Sequence, residues 1–61
     1  MTFREIEKII KSDGWYEDRS NSGSHRQYVH EIKKGKVTIP HHKGDLPKGT
    51  VNSILKQSGL K

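Results

Sequence analysis

Two segments in which apolar residues recur at helical spacing stand near the two ends of this chain, and each is followed by a glycine. Residues three and four positions apart share one face of a helix, so each segment predicts an amphipathic helix. The apolar faces consist of Phe3, Ile6, Ile9 and Ile10 in the first segment and of Val51, Ile54 and Leu55 in the second. A fold of this chain has to bury both faces against the residues between them.

The first helix is predicted over Thr2–Ser12. Thr2 and Glu5 have the spacing of a capping box, in which each side chain bonds to the backbone N–H of the other residue. Asp13-Gly14 ends this helix, because glycine readily adopts the left-handed conformation that follows a last turn.

The last helix is predicted over residues 48–58, after a loop at His41–Lys48 that is rich in His, Lys, Gly and Pro. Gly59 has the position of a C-terminal stop. Leu60 then falls where a residue beyond the cap packs back on Leu55.

The middle of the chain predicts three short strands of an antiparallel meander. Strands are expected at Trp15–Arg19, Ser24–Ile32 and Lys36–Ile39, with turns at Ser20–Gly23 and Lys33–Gly35 and with Pro40 as the end of the third strand. Alternation along the second strand places His25, Gln27 and Val29 on one face and Arg26, Tyr28 and His30 on the other. We interpret Trp15 and Tyr28 as core residues. The predicted fold is a single α+β domain over residues 1–61, in which both helices cover one face of a three-stranded sheet.

Composition limits the chemistry. Only 28% of residues are apolar and there is no cysteine, so the core is thin and neither a disulfide nor sulfur-ligated zinc can support it. No apolar run has the length of a membrane span, so we expect a cytoplasmic protein without a membrane partner. A formal charge of +5 favours an acidic partner such as nucleic acid, although a solvated basic surface is an equally common explanation.

His25 is the candidate catalytic residue. It follows Gly23-Ser24 at the predicted start of a strand, where rigid backbone holds an imidazole within reach of solvent. Basic residues surround it in sequence: Arg19, Arg26, Lys33, Lys34 and Lys36. We therefore hypothesise that this stretch binds RNA and cleaves it with His25 as the proton-transfer group. The competing interpretation is a solvent-facing strand histidine without a role.

Candidate substrate contacts lie close to His25 in sequence. Arg26 and Lys36 are candidates to bracket the scissile phosphate, and Ser24 can hydrogen-bond to His25 or to the substrate. No nucleophilic serine arrangement is present, so serine hydrolase chemistry is rejected.

The other three histidines favour structural explanations. His30 is expected to be half-buried against a helix or at an edge, while His41 or His42 can act as a general acid or simply cover the surface of the last helix. We favour the second explanation. A zinc site built from the four histidines is improbable because of their spacing, and no cofactor is expected.

The sequence resembles the HicA-type toxins of bacterial and archaeal toxin–antitoxin pairs over almost its whole length. The shared features are the isoleucine-rich first helix, Gly14-Trp15, Gly23-Ser24-His25 with Tyr28 and His30, Val37-Thr38-Ile39-Pro40, Gly44, Leu46 and the stretch Gly49 to Leu60. One departure is His30-Glu31, where many relatives have His-Pro after the second strand. A slightly longer strand is the expected consequence.

The resemblance implies a fold similar to double-stranded RNA-binding domains and metal-independent cleavage of mRNA, with His25 as the catalytic residue. It also implies a HicB-type antitoxin as the partner that covers the active face. In the double-stranded RNA-binding fold, the region before the last helix lies against phosphates, which makes Lys43 and Lys48 candidate phosphate ligands here.

Two other functions stay open. A non-catalytic RNA-binding module of the same fold would use His25 only as a phosphate contact. A pure interaction protein would use its charge for an acidic protein partner and would bind RNA weakly and almost independently of salt.

Overall fold

The structure is a computed structural model that describes residues 1–19 and 25–61. Its elements are helix α1 at Phe3–Ser12, strands β1 at Tyr16–Glu17, β2 at His25–Val29 and β3 at Val37–Pro40, and helix α2 at Lys48–Gln57. The strands form an antiparallel sheet in the order β1-β2-β3. The predicted α-β-β-β-α order and the α+β class are confirmed.

The register of the sheet assigns each strand residue to one of two faces. Directly opposite residues of antiparallel strands share a face, and successive residues alternate between faces. The helix face therefore carries Glu17, Arg26, Tyr28, Val37 and Ile39. The open face, opposite the helices, carries Tyr16, His25, Gln27, Val29, Thr38 and Pro40. The predicted division of the second strand into two faces agrees with this register.

The core lies between the helix face and the two helices. Its buried members are Phe3, Ile6, Ile10, Trp15, Tyr28, Val37, Ile39, Leu46 and Ile54, with Val51 and Leu55 packed against them. Full burial of an aliphatic side chain of this size contributes about 1.5–3 kcal/mol, so these few residues supply most of the apolar stabilisation. The structural assignment of Trp15 and Tyr28 is confirmed. Ile9 was expected in the same stripe, but it is 37% exposed.

The strands are shorter than the sequence predicted. β1 covers only Tyr16–Glu17 and β2 ends at Val29. His30 leaves the ladder because its ring is held by the end of α1 and by the following turn. The predicted turn at Ser20–Gly23 and the predicted first residue of the second strand, Ser24, lie outside the described residues.

β3 begins one residue later than predicted and includes Pro40, which was expected to end it. The backbone N–H of Thr38 points away from β2 and donates to Oε1 of Gln57 at 3.0 Å. Two residues on, the nitrogen of Pro40 has the same outward direction. Proline is tolerated there because an edge strand needs no donor on its outer side.

Capping interactions define both helices. Thr2 precedes α1 as its N-cap, and the predicted capping box is present, with Thr2 N–H donating to Glu5 Oε1 at 2.8 Å and Glu5 N–H donating to Thr2 Oγ1 at 3.2 Å. At the end of α2, Leu60 N–H donates to the carbonyl of Leu55 at 2.9 Å, which completes a Schellman motif around Gly59. The Leu60 side chain was expected to pack on Leu55, but it is 40% exposed.

A polar cluster joins the C-termini of both helices to the turn after β2. The Lys33 ammonium donates to Asp13 Oδ2 at 2.5 Å and to the carbonyl of Ser58 at 3.0 Å. Trp15 Nε1 donates to the same carbonyl at 3.3 Å. A cation at this position stabilises the negative ends of two helix dipoles at once.

His30 completes this cluster. Its Nδ1 accepts the backbone N–H groups of Ile32 at 3.0 Å and Lys33 at 3.1 Å. Nε2 therefore carries the ring proton and donates to the carbonyl of Asp13 at 2.8 Å. The ring also contacts Trp15 edge-on, with centroids 5.2 Å apart. His30 is half-buried and structural, as the sequence predicted.

We expect Asp13→Asn to lower stability at neutral pH. The hydrogen bond from Lys33 holds the pKa of the Asp13 carboxyl below its ordinary value. A depressed pKa stabilises the fold above the unfolded-state pKa, and the contribution disappears as the pH falls through the folded-state pKa. The melting temperatures of wild type and Asp13→Asn should therefore differ at pH 7. The difference should shrink as the pH falls below about 4, the ordinary pKa of an aspartate. Glu31→Gln, at an exposed carboxyl, is the control; a constant gap for Asp13→Asn would contradict the prediction.

We expect Gly14→Ala to destabilise the fold more than Gly35→Ala. Both glycines have positive φ, +107° and +88°, so both substitutions carry a cost of roughly 1–2 kcal/mol for a left-handed backbone. An added Cβ at Gly14 lies 2.7 Å from His30 Nε2, whereas at Gly35 no atom of the described residues, apart from the chain neighbours, lies within 4 Å. Urea unfolding should give a loss of about 1 kcal/mol for Gly35→Ala and about 2–4 kcal/mol for Gly14→Ala. Equal losses would show that the His30 ring moves aside freely.

Candidate functional site

His25 is the first residue of β2 and its side chain is exposed on the open face. It lies directly opposite Pro40, the last residue of β3. Pairing on the ladder holds the backbone of His25, while the imidazole faces solvent on the side away from the helices. The structure therefore gives this residue the setting that the sequence predicted for it.

Lys36 shares the open face with His25 but lies at the other end of the sheet. Its Nζ is 3.7 Å from Oδ2 of Asp18, so this ion pair joins the residue before β3 to the residue after β1. Lys36 precedes Val37, which pairs with Tyr28, so its backbone lies at the level of Val29, four strand residues or about 13 Å from that of His25. Arg26 and Lys36 lie on opposite faces of the sheet, and their bracketing of one phosphate next to His25 stays a prediction.

Arg26 belongs to the helix face. Its Nη1 is 2.9 Å from Glu17 Oε2, and its guanidinium lies over the ring of Phe3 at 5.9 Å from the centroid. These contacts connect β2 to β1 and to the start of α1. The strand period thus separates Arg26 from the imidazole next to it in sequence.

Tyr28 has no part in proton transfer at the open face. Its side chain is fully buried under the helices and its hydroxyl donates to the carboxylate of Glu7. Burial first, and this hydrogen bond second, raise the pKa of the Tyr28 phenol well above its ordinary value. The phenol is therefore neutral at physiological pH, and it serves to anchor α1 to β2.

The loop after Pro40 leaves the sheet at the end where His25 lies. Its first residue, His41, turns towards the helices and contacts the Phe3 ring edge-on, with centroids 5.0 Å apart. Further along, Asp45 bridges to Thr2, and Leu46 N–H donates to the carbonyl of Met1 at 2.7 Å. The start of α1 thereby holds the loop in place.

Lys43 and Lys48 are exposed in and after this loop. Lys48 is the first residue of α2, whose N-cap, Pro47, makes no side-chain hydrogen bond to the helix and whose first turn carries no acidic residue. The positive end of a helix dipole with a lysine beside it favours an anion. His42 is exposed in the same loop, and Ser24 lies outside the described residues.

Tyr16 is a residue of the open face that sequence reasoning did not single out. It lies opposite Val29 and is 47% exposed, whereas its neighbour Trp15 is 2% exposed. The signal was present in the sequence, because successive strand residues point to opposite faces and only one of two adjacent aromatic residues can enter the core.

Residues 3–60 match the family described as the HicA toxin of bacterial toxin–antitoxin systems. A solved structure of a toxin–antitoxin complex from Streptococcus pneumoniae contains a similar chain, with 37% identity, a TM-score of 0.81 and coverage of 98% of both chains. No curated protein matches the chain.

In residues 1–19 and 25–61, neither helix is long and apolar enough to cross a membrane.

The family match spans nearly the entire sequence, and the similar solved chain has the same fold over its whole length. The chain belongs to the HicA toxin family of toxin–antitoxin systems.

Proposed function

We propose that this protein is the toxin of a toxin–antitoxin pair and that it is a metal-independent endoribonuclease that cleaves mRNA through His25. The observation that carries the proposal is the exposed imidazole of His25 at the rigid start of β2, in a chain of the HicA toxin family. The basic charge of the chain supports an anionic substrate.

The chemistry requires one proton transfer at each end of the scissile bond. His25 takes the proton from the ribose 2′-hydroxyl as the 2′-oxygen attacks the adjacent phosphorus. The bond from phosphorus to the 5′-oxygen then breaks, and the leaving oxygen receives a proton. An imidazole suits this reaction because it can accept and donate protons near neutral pH. The products are a 2′,3′-cyclic phosphate and a free 5′-hydroxyl.

Cations near the phosphorane-like transition state lower its energy. Lys43 and Lys48 are proposed as phosphate ligands, since they are exposed in and after the loop that departs from Pro40, opposite His25. Lys36 is available to a phosphate farther along the open face. Arg26 has to leave Glu17 and Phe3 before it can reach a phosphate. Ser24, next to His25 in sequence, is proposed as a substrate contact.

The proposed partner is a HicB-type antitoxin that covers the His25 face. Support comes from the family and from the similar solved chain, which belongs to a toxin–antitoxin complex. An acidic antitoxin surface would complement the charge of this chain and would stabilise a domain with a thin core by mass action. The proposed setting of both proteins is the cytoplasm.

His25→Ala should abolish RNA cleavage in excess EDTA. General acid–base catalysis contributes about 10²- to 10⁴-fold, so the cleavage rate should fall by at least 100-fold. Lys56→Ala is the control, an exposed residue on α2 behind the sheet whose loss should leave the rate nearly unchanged. Circular dichroism first verifies equal folding. If wild type binds RNA without cutting it, the protein is a non-catalytic RNA-binding module instead.

Antitoxin and RNA should compete for the protein. A HicB-type antitoxin added in equimolar amount should stop cleavage and should displace a labelled RNA from His25→Ala. An inhibited ternary complex that retains RNA would contradict coverage of the His25 face.

A further inference from the structure

The open face carries an exposed aromatic ring on β1, the strand next to that of His25. Tyr16 lies opposite Val29, and Val29 follows His25 on the same face of β2. The separation along the strand is four residues, or about 13 Å, which corresponds to a few nucleotides of extended RNA. A ring and an imidazole are thus fixed on one surface by two paired strands.

We propose that the open face binds single-stranded RNA, with a base stacked on Tyr16 and the scissile phosphate at His25. The inference rests on the proposed ribonuclease function and names the substrate class of that site. The chemistry of the face carries it: an aromatic side chain offers a platform to any base, and strand backbone holds the platform at a fixed distance from the imidazole.

Solvent exposure makes Tyr16, and not Trp15 or Tyr28, the candidate for stacking on a base. Trp15 and Tyr28 are 2% and 0% exposed, and both are committed to the core through hydrogen bonds to Ser58 and Glu7. Tyr16 is 47% exposed, with the half-buried Val29 beside it as an apolar neighbour. A base placed on this ring therefore covers apolar surface as well as the ring itself.

Lys36 lies at the same end of the open face as Tyr16, where its positive charge can contact an RNA phosphate. The Lys36 side chain is 54% exposed, and its Nζ is 3.7 Å from Asp18 Oδ2. A surface pair of this kind contributes little to stability, so Lys36 can exchange Asp18 for a phosphate at small cost. The chain as a whole is basic, which favours an anionic ligand such as RNA.

The proposed stacking of a base on Tyr16 favours single-stranded RNA over duplex RNA. Bases in a duplex are stacked on each other and do not present a free face, whereas an unpaired strand can place successive bases on a protein sheet. The proposed site therefore differs in its substrate from double-stranded RNA-binding domains, which the fold resembles and which bind duplex RNA.

The main test compares Tyr16→Ala and Tyr16→Phe by fluorescence anisotropy. The probe is a labelled oligoribonucleotide with 2′-deoxyribose at the cleaved position, which binds but cannot be cut. Loss of one stacked base should raise Kd by about 5- to 150-fold in Tyr16→Ala. Tyr16→Phe keeps the ring and should bind like wild type. Ile32→Ala, an 87% exposed residue outside the strands, is the control for loss of exposed apolar surface and should also bind like wild type.

Annealing the complementary strand gives the second readout. We expect the duplex to bind more weakly than the single strand, and Tyr16→Ala to leave duplex binding unchanged. Equal loss on both forms, or tighter binding of the duplex, would overturn the proposal.

A 2-aminopurine scan locates the stacked base. Fluorescence should be quenched at one position a few nucleotides from the cleaved bond, in wild type and in Tyr16→Phe, and the quenching should vanish in Tyr16→Ala. Quenching that is independent of Tyr16 would place the bases elsewhere.

Lys36→Gln tests the phosphate contact. Loss of one phosphate contact should reduce the slope of log Kd against log salt by about 0.7 for a single strand. Lys56→Gln, on α2 behind the sheet, should leave the slope unchanged. The same slope in both variants would remove Lys36 from the site.

The outcomes separate the two proposals. Absence of RNA cleavage by wild type defeats the ribonuclease function itself. Cleavage by wild type with unchanged RNA binding in Tyr16→Ala defeats only the stacking site. If Tyr16→Ala instead weakens only the antitoxin complex, the open face is a protein interface and the RNA proposal is wrong.

Discussion

The alternation of side chains along β2 is the constraint on which the rest of this structure depends. Tyr28 has to enter the core, because its ring fills space between the sheet and the helices and its hydroxyl reaches Glu7 of α1. Burial of Tyr28 then forces Arg26 to the helix face and His25 to the open face. A slip of one residue would bury the imidazole and expose the core, so packing and the candidate catalytic site are selected by the same register.

Polar contacts compensate for a thin core at the opposite end of β2. Lys33 and His30 connect the last turn of α1, the last turn of α2 and the turn between β2 and β3. Every bond of this cluster ends on a backbone carbonyl, a carboxylate or a ring nitrogen that would otherwise need water. The arrangement explains how a chain with 28% apolar residues holds two helices on one sheet without a disulfide.

Some basic residues of this chain support the fold, and others are exposed to solvent and can bind a substrate. Arg26 and Lys33 are held by Glu17 and Asp13 and support the fold. Lys36, Lys43 and Lys48 are exposed, and these are the cations that the proposed RNA site can use. Net charge therefore overstates the positive charge available to a substrate, because cations such as Arg26 and Lys33 are already paired with carboxylates.

Local patterns in the sequence were enough to determine the helices, the capping box, the glycine stops, the strand order and the face of His25, because each depends on residues close together in the chain. Tertiary structure alone decided the rest. Ladder pairing set the strand lengths and carried β3 through Pro40, since its nitrogen faces outward at a sheet edge. The distance of Lys36 from His25, the pairing of Arg26 with Glu17 and the exposure of Tyr16 depend on register between strands and on which ring the core accepts. Local sequence patterns do not determine these features, because they depend on contacts between residues that are distant in the sequence.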